Sequence, residues 1–446
     1  MHKRILIFFI LIINLFLLGI DSETNTKDLS ENISTYSAIN LKSDFQQCYD
    51  LIKRYHPDPF AYISEESLDK IFYELKNEIR DDMNSLEFNK LLTSFISNVG
   101  DGHIFIGMSE SELQKILFES SLIPLNVKII SDEMYISDSF NPDLLGCKIT
   151  SINNLKSALI LQNIMKHLTA DGNNKWSKYS LIGNNFPLFY TLYVGSFDKY
   201  SIDYIDLEKN AFSIELNGIS YTEIEEYGRS IPQVAPLNYM DYPEDNTAYL
   251  KIGSFNYYGS ATSIFKEYVD ECFQKVFEGD YKNLIIDLRG NGGGDPYAST
   301  HLLSYLINEE YQYFAKIYPG YYTLGKTISP YKEIFKGNLY FIIDGGCFST
   351  TGHFLSLIKY HQIGTLIGSP SGGTYFCNDN SKDYILSNTD FRFHLPTSSF
   401  YTAVEGFEKG IGIQPDIFIQ TTPEDLKTKE DSVLKFIFNI ISESDK

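Results

Sequence analysis

The apolar run Leu284-Ile285-Ile286-Asp287-Leu288 and the glycine cluster after it, Arg289-Gly290-Asn291-Gly292-Gly293-Gly294-Asp295, constrain the fold more than any other part of the chain. An apolar run without alternation predicts a strand buried on both faces, as in a sheet flanked by helices. The glycines let backbone approach a ligand closely and turn N–H groups outward. Asp295 and Pro296 supply an N-cap and a first-turn proline for a helix through His301, Leu303 and Tyr305. Strand, glycine loop and helix in that order build an anion pocket at the carboxyl edge of an α/β sheet.

The surrounding pattern extends this unit. From Thr247 onward, strands are predicted at 248–252, 284–288, 339–343 and 365–367, with helices at 261–277, 301–307 and 351–360 between them. Such alternation implies a parallel or mostly parallel sheet with right-handed crossovers. Upstream, residues 41–98 carry helical periodicity, with Phe45, Cys48, Leu51 and Ile52 on one face. Tyr55-His56-Pro57-Asp58-Pro59 breaks that region into two helices. It ends in the turn Val99-Gly100-Asp101-Gly102-His103, which leads into a strand. A β-rich stretch follows from Leu122 to Asn154.

The expected organisation is a targeting segment at 1–22, a linker at 23–40 and a helical domain at 41–106. A β-rich module at 107–165, a connecting α/β region at 166–245 and a catalytic domain at 246–446 complete it. Lys3 and Arg4 precede an apolar run from Ile5 to Ile20, the arrangement of a secretory signal, so export is expected. A retained anchor would attach the chain to a membrane through residues 5–20. The net charge of −21 argues against a nucleic-acid partner, since phosphate binding needs concentrated Lys and Arg. Five scattered cysteines without a CxxC pair lack zinc-site spacing and read as buried small apolar side chains; no metal or cofactor is expected.

A second strand-to-helix junction carries the next chemical candidate. Leu339 to Ile343 is followed by Asp344-Gly345-Gly346-Cys347-Phe348, and Ser349-Thr350-Thr351-Gly352-His353 opens a helix. A serine there sits over the positive end of a helix dipole, which stabilises a developing oxyanion. The plain alternative is that Ser349 caps the helix. With the first glycine loop in the same sheet, N–H groups near Gly293 and at Thr350 could hold an oxyanion while Ser349 attacks a carbonyl.

The loop LIIDLRGNGGG, the junction DGGCFSTTGHF and the closing GIGIQPDI (Gly410 to Ile417) resemble the C-terminal-processing, or tail-specific, serine peptidases. That family shares a crotonase-like (ClpP/crotonase) β-α catalytic core with the tricorn protease core and the retinoid-binding protein of the retina. The resemblance covers about 247–419 and is weaker upstream, at VGDGHIFIG and LLGCKITSINN. It implies an α/β fold with that core, a preceding helical domain, a degenerate PDZ-like β-rich module, and Ser349 as the nucleophile of a serine peptidase. In such a family the PDZ-like module takes a substrate's C-terminal residues; here it serves equally well as a scaffold for His103.

Two catalytic plans exist in the family. One uses a lysine after the nucleophile's helix, and that position falls on Thr374 here. The tricorn-like plan takes a histidine from a DGH turn, and Asp101-Gly102-His103 matches it. An imidazole suits the general-base role that an unactivated serine requires. The carboxylate of this Ser-His-Glu plan falls on Lys409, one residue from Glu408 and four from Glu405, and Glu408 is the expected orienting residue. The expected site is therefore Ser349, His103 and Glu408, with Gly293 and Thr350 as oxyanion donors and a protein or peptide as substrate. A catalytically inactive relative that binds peptides or apolar ligands is the alternative.

Overall fold

The computed structural model describes residues 33–224, 238–244 and 246–444. The targeting segment expected at 1–22 lies outside the described residues. The first helix among the described residues, Ala38–Tyr55, begins inside the stretch expected as a linker. Among the described residues no helix is long and apolar enough to cross a membrane.

A six-stranded sheet organises the second half of the chain. Its order is Asn238–Glu244, Thr247–Ile252, Asn283–Asp287, Asn338–Ile343, Thr365–Gly368 and Ile417–Phe418. The first pair is antiparallel and every later pair parallel. Alternate residues divide between two cores, as a period of two requires. Leu284, Ile286, Leu288, Leu339, Phe341 and Ile343 pack with the helices Ala261–Glu278, Pro296–Leu303 and Thr350–Tyr360. Ile285, Tyr340, Ile342 and Ile367 face Val433, Ile437 and Ile441, spaced four apart on the helix Ser432–Ser444. Each fully buried aliphatic side chain contributes about 1.5–3 kcal/mol, which explains why the strands read as unbroken apolar runs.

The helix expected at 301–307 lies earlier, at Pro296–Leu303. Asp295 Oδ1 accepts the Tyr297 N–H at 2.9 Å, and Pro296 supplies the helical φ, so the cap and proline outrank the later apolar spacing.

The N-terminal layer is helical over Ala38–Tyr55, Glu65–Glu78 and Ser85–Ser97. Phe45 lies 5.2 Å from both Phe72 and Phe95, and that aromatic cluster joins all three helices. The first helix stops at His56, held extended as the residue before a proline must be.

A separate antiparallel sheet runs Leu125–Ile130, Glu133–Ser139, Lys148–Ile152, Lys199–Ile205 and Ala211–Asn217. Asn153 and Asn154, both at positive φ, make the tight turn of SINN. The helices Ser157–Met165 and Lys175–Tyr193 share its core, so the segments 107–165 and 166–245 contribute to one sheet.

One small sheet matters most for the site. Phe105–Gly107 pairs with Arg392–Leu395, joining the turn at 99–103 to the second half of the chain, with Phe393 opposite Ile106. Asp44 on the first helix reinforces the junction by accepting four hydrogen-bond donors of Asn388 and Thr389.

Candidate active site

Ser349 opens the helix Thr350–Tyr360 but does not cap it: its side chain makes no cap hydrogen bond. Its backbone, at φ 55° and ψ −125°, lies where L-residues rarely sit. That turn throws Oγ out of the helix axis, and Oγ lies 3.0 Å from His103 Nε2, across 246 residues of sequence. The Phe348 ring stacks on the imidazole at 4.7 Å between centroids. Gly102 permits this approach, because a Cβ there would meet Phe348 Cζ at 2.6 Å.

The turn bearing His103 is braced by Asp101. One oxygen of Asp101 accepts the His103 N–H at 2.7 Å, and the other accepts His56 Nε2 at 2.9 Å and Asn378 Nδ2 at 2.7 Å. Burial pushes the Asp101 carboxyl up, but the His56 hydrogen bond and the charges of His56 and His103 outweigh it and hold it below the usual range. His56 and Asn378 were not singled out in the sequence. The proline-flanked His56 offered a faint signal, and Asn378 none.

The glycine loop meets this junction through Asn291, which is fully buried. Asn291 Oδ1 accepts the Gly293 N–H at 2.9 Å and the Thr351 hydroxyl at 2.8 Å, while its carbonyl accepts the Phe348 N–H at 3.0 Å. Asn291 thus ties the two loops together. Gly293 needs to be glycine: at φ +98°, a Cβ would lie 2.8 Å from Ser349 Cβ. The expectation that the Gly293 N–H faces an oxyanion needs correction, because Asn291 holds that N–H. Thr350 begins the helix, where N–H groups have no intrahelical acceptor.

At the foot of the loop, Asp287 accepts the Arg289 N–H at 2.9 Å and pairs with the Arg289 guanidinium, with Lys251 and with Tyr249. Burial raises its carboxyl, but the Arg289 charge outweighs this and holds it down to about 2. Arg289 also reaches Asp431 at 2.7 Å, fastening the loop to the segment before the C-terminal helix.

The expected orienting residue, Glu408, makes no hydrogen bond to His103 in the structure. Glu405 and Glu408 are both exposed, and His103 Nδ1 is buried without a hydrogen-bond partner. Lys409, at the position where the pattern puts the acid, reaches Asp58 at 3.2 Å and lies over the Phe376 ring. Sequence spacing located this loop but not the direction of its side chains.

Thr374 is buried against the helix Thr350–Tyr360, and its hydroxyl accepts the Phe376 N–H at 3.1 Å. The five cysteines are buried and free. One group of donor atoms, from Asp101, His103 and Asp171, is close enough to surround an ion, each atom within 4.8 Å of the others. Asp101 already spends both oxygens on neighbours, so the group reads as a polar cluster.

Residues 246–419 match peptidase family S41. The chain is also similar to solved structures over nearly its whole length. Mature CPAF complexed with lactacystin is 12% identical, with a TM-score of 0.66 over 90% of this chain and 97% of that one. Mature CPAF is 14% identical, with a TM-score of 0.63 over 88% and 95%. A protein of Parabacteroides merdae provisionally named a peptidase is 16% identical, with a TM-score of 0.51 over 90% and 96%. At such identities the likeness is one of mixed α/β fold. No curated protein matches the sequence.

Proposed function

We propose that this protein is a serine peptidase of the Ser–His type, acting on exported proteins or peptides. The contact of 3.0 Å between His103 Nε2 and Ser349 Oγ carries the reading. Ser349 Oγ attacks the carbonyl carbon of the scissile bond as His103 Nε2 takes the hydroxyl proton. The carbonyl oxygen becomes an oxyanion, which the Thr350 N–H and the helix N-terminus stabilise. His103 then returns the proton to the departing amine as the carbon–nitrogen bond breaks. Water, activated by the same imidazole, releases the acyl group from Ser349. The buried Thr374 supports a histidine base over a lysine one, since no amine occupies that position. The PDZ-like role of the antiparallel sheet, taking up a substrate's C-terminus, belongs to this proposal.

One observation favours the inactive-relative reading: the Gly293 N–H is held by Asn291, leaving Thr350 as the donor in place. A fluorophosphonate probe separates the two. The purified full chain is expected to be labelled, and Ser349→Ala is expected to abolish labelling. A folded wild-type protein that resists the probe would sink the peptidase reading.

A further inference from the structure

We infer that Asp171 is the carboxylate that positions His103, the role that sequence spacing gave to Glu408. The inference rests on the serine-peptidase reading above and adds a residue to it. An imidazole that accepts the Ser349 proton at Nε2 must carry its own proton at Nδ1, and that N–H needs an acceptor to fix the tautomer and steady the cation formed later. His103 Nδ1 is buried and unpartnered. Asp171 Oδ2 is likewise buried and unpartnered, and a donor atom from each residue lies within 4.8 Å of the other. Two orphaned buried polar atoms of complementary character in one cluster are the strongest sign that they serve each other.

The neighbouring groups favour this pairing. Asp101 is the other carboxylate at hand, but its oxygens already serve the His103 N–H, His56 and Asn378. Asp171 has only one oxygen engaged, accepting the Gly102 N–H at 2.8 Å. The Gly172 N–H donates to the Gly100 carbonyl at 2.7 Å, so two bonds fix the Asp171 loop to the turn that bears the imidazole. From behind, Asn174 Nδ2 donates to the carbonyls of Ser371 and Gly372, both at 2.9 Å. The carboxylate is thus mounted on rigid backbone, as a positioning group must be. The loop of Lys409 touches the same place: a Cβ on Gly172 would lie 2.8 Å from Gly410 Cα. The acid therefore enters from the opposite side of that contact.

The electrostatics fit a group that works beside a forming cation. Burial, with the charge of Asp101 added, pushes the Asp171 carboxyl up to about 7, while His103 and the Gly102 N–H pull against it. The titratable groups facing it are Asp101, His103, Tyr62 and Cys377, with His56 behind Asp101. Charging His103 during the reaction favours ionised Asp171, and the pair then attract within the buried cluster. Catalytic hydrogen bonds that are long without substrate commonly tighten in the complex.

The test compares fluorophosphonate labelling and peptide hydrolysis by the full chain carrying Asp171→Asn, Asp171→Glu or no change. Asp171→Asn is expected to slow both by about 10²–10⁴-fold, because an amide N–H facing Nδ1 imposes the wrong tautomer. KM should hold, and the acidic limb of kcat/KM should move to lower pH as the imidazole loses its counter-charge. Asp171→Glu should recover part of the rate. Circular dichroism and thermal unfolding establish that each variant is folded. Should Asp171→Asn fail to fold, the pH profile of Asp171→Glu decides, since a displaced carboxylate still shifts that limb. Wild-type labelling with Asp171→Asn labelled at the same rate and pH profile overturns this inference alone. No labelling of wild type overturns the peptidase reading beneath it.

Discussion

Replacing Gly102 by alanine is expected to disable Ser349 while leaving the chain folded. The added Cβ would lie 2.6 Å from Phe348 Cζ, 2.9 Å from Cε2 and 3.0 Å from Asp171 Oδ1. Ordinary contact begins near 3.4 Å, so the Phe348 ring must retreat by about 0.8 Å. That ring stacks on His103 at 4.7 Å, and the next residue is Ser349, so its retreat drags apart the pair now 3.0 Å apart. Misplacing reacting groups by about 1 Å costs on the order of 10²-fold, or about 2.7 kcal/mol of barrier. For stability, overpacking costs about 1–3 kcal/mol, and the stiffer unfolded chain returns about 0.4–1 kcal/mol. The net expectation is about 1–2 kcal/mol lost in urea unfolding at pH 7, alongside a labelling rate down about 10²-fold. Phe348→Leu deletes the clashing atoms, so the double variant should recover part of both losses. A coupling energy below about 0.5 kcal/mol between the two substitutions, or wild-type labelling by Gly102→Ala, would refute the reasoning.

Three further outcomes are expected. His103→Gln should remove most activity with the melting temperature nearly unchanged, and an active variant would disqualify His103 as the base. Asp287, held at about 2 against an ordinary 3.8, contributes on the order of 2 kcal/mol that is present above about pH 4 and lost as pH falls through 2. Urea unfolding at pH 5.5 and pH 2.5 should show this loss in the wild type and not in Asp287→Asn; equal pH dependence would contradict it. Asn291→Ala should cost about 3 kcal/mol or more by chemical denaturation, because it strips the Gly293 N–H, the Ile252 carbonyl and the Thr351 hydroxyl of their partner at once. A loss under about 1 kcal/mol would show the loops to be held otherwise.

Much of the sheet could be read from the chain because local signals agreed with tertiary ones. Leu284 to Leu288 is apolar on both faces because helices cover both, and Asp295-Pro296 marks a helix start by backbone chemistry alone. Ser349 and His103 were conspicuous because short glycine-containing turns surround them. The acid was different. A carboxylate's role depends on which way one side chain points, and counting back from Gly410 reaches Lys409 and the exposed Glu408 without saying what lies across the contact. Asp171 stands in Ala170-Asp171-Gly172-Asn173, an ordinary-looking turn. The hydrogen bond that ties the Gly293 N–H to Asn291 is equally invisible to spacing, being a choice between two acceptors, one in the loop and one in a substrate.

The pairing of Phe105–Gly107 with Arg392–Leu395 sets the moment at which His103 can first be seated beside Ser349. A ribosome delivers the imidazole early and its supporting strand only when nearly nine-tenths of the chain exists. Until that strand arrives, the turn at His103 lacks the partner that seats it beside Ser349. Chain order thus delays the meeting of Ser349 and His103 until the strand at 392–395 has been made.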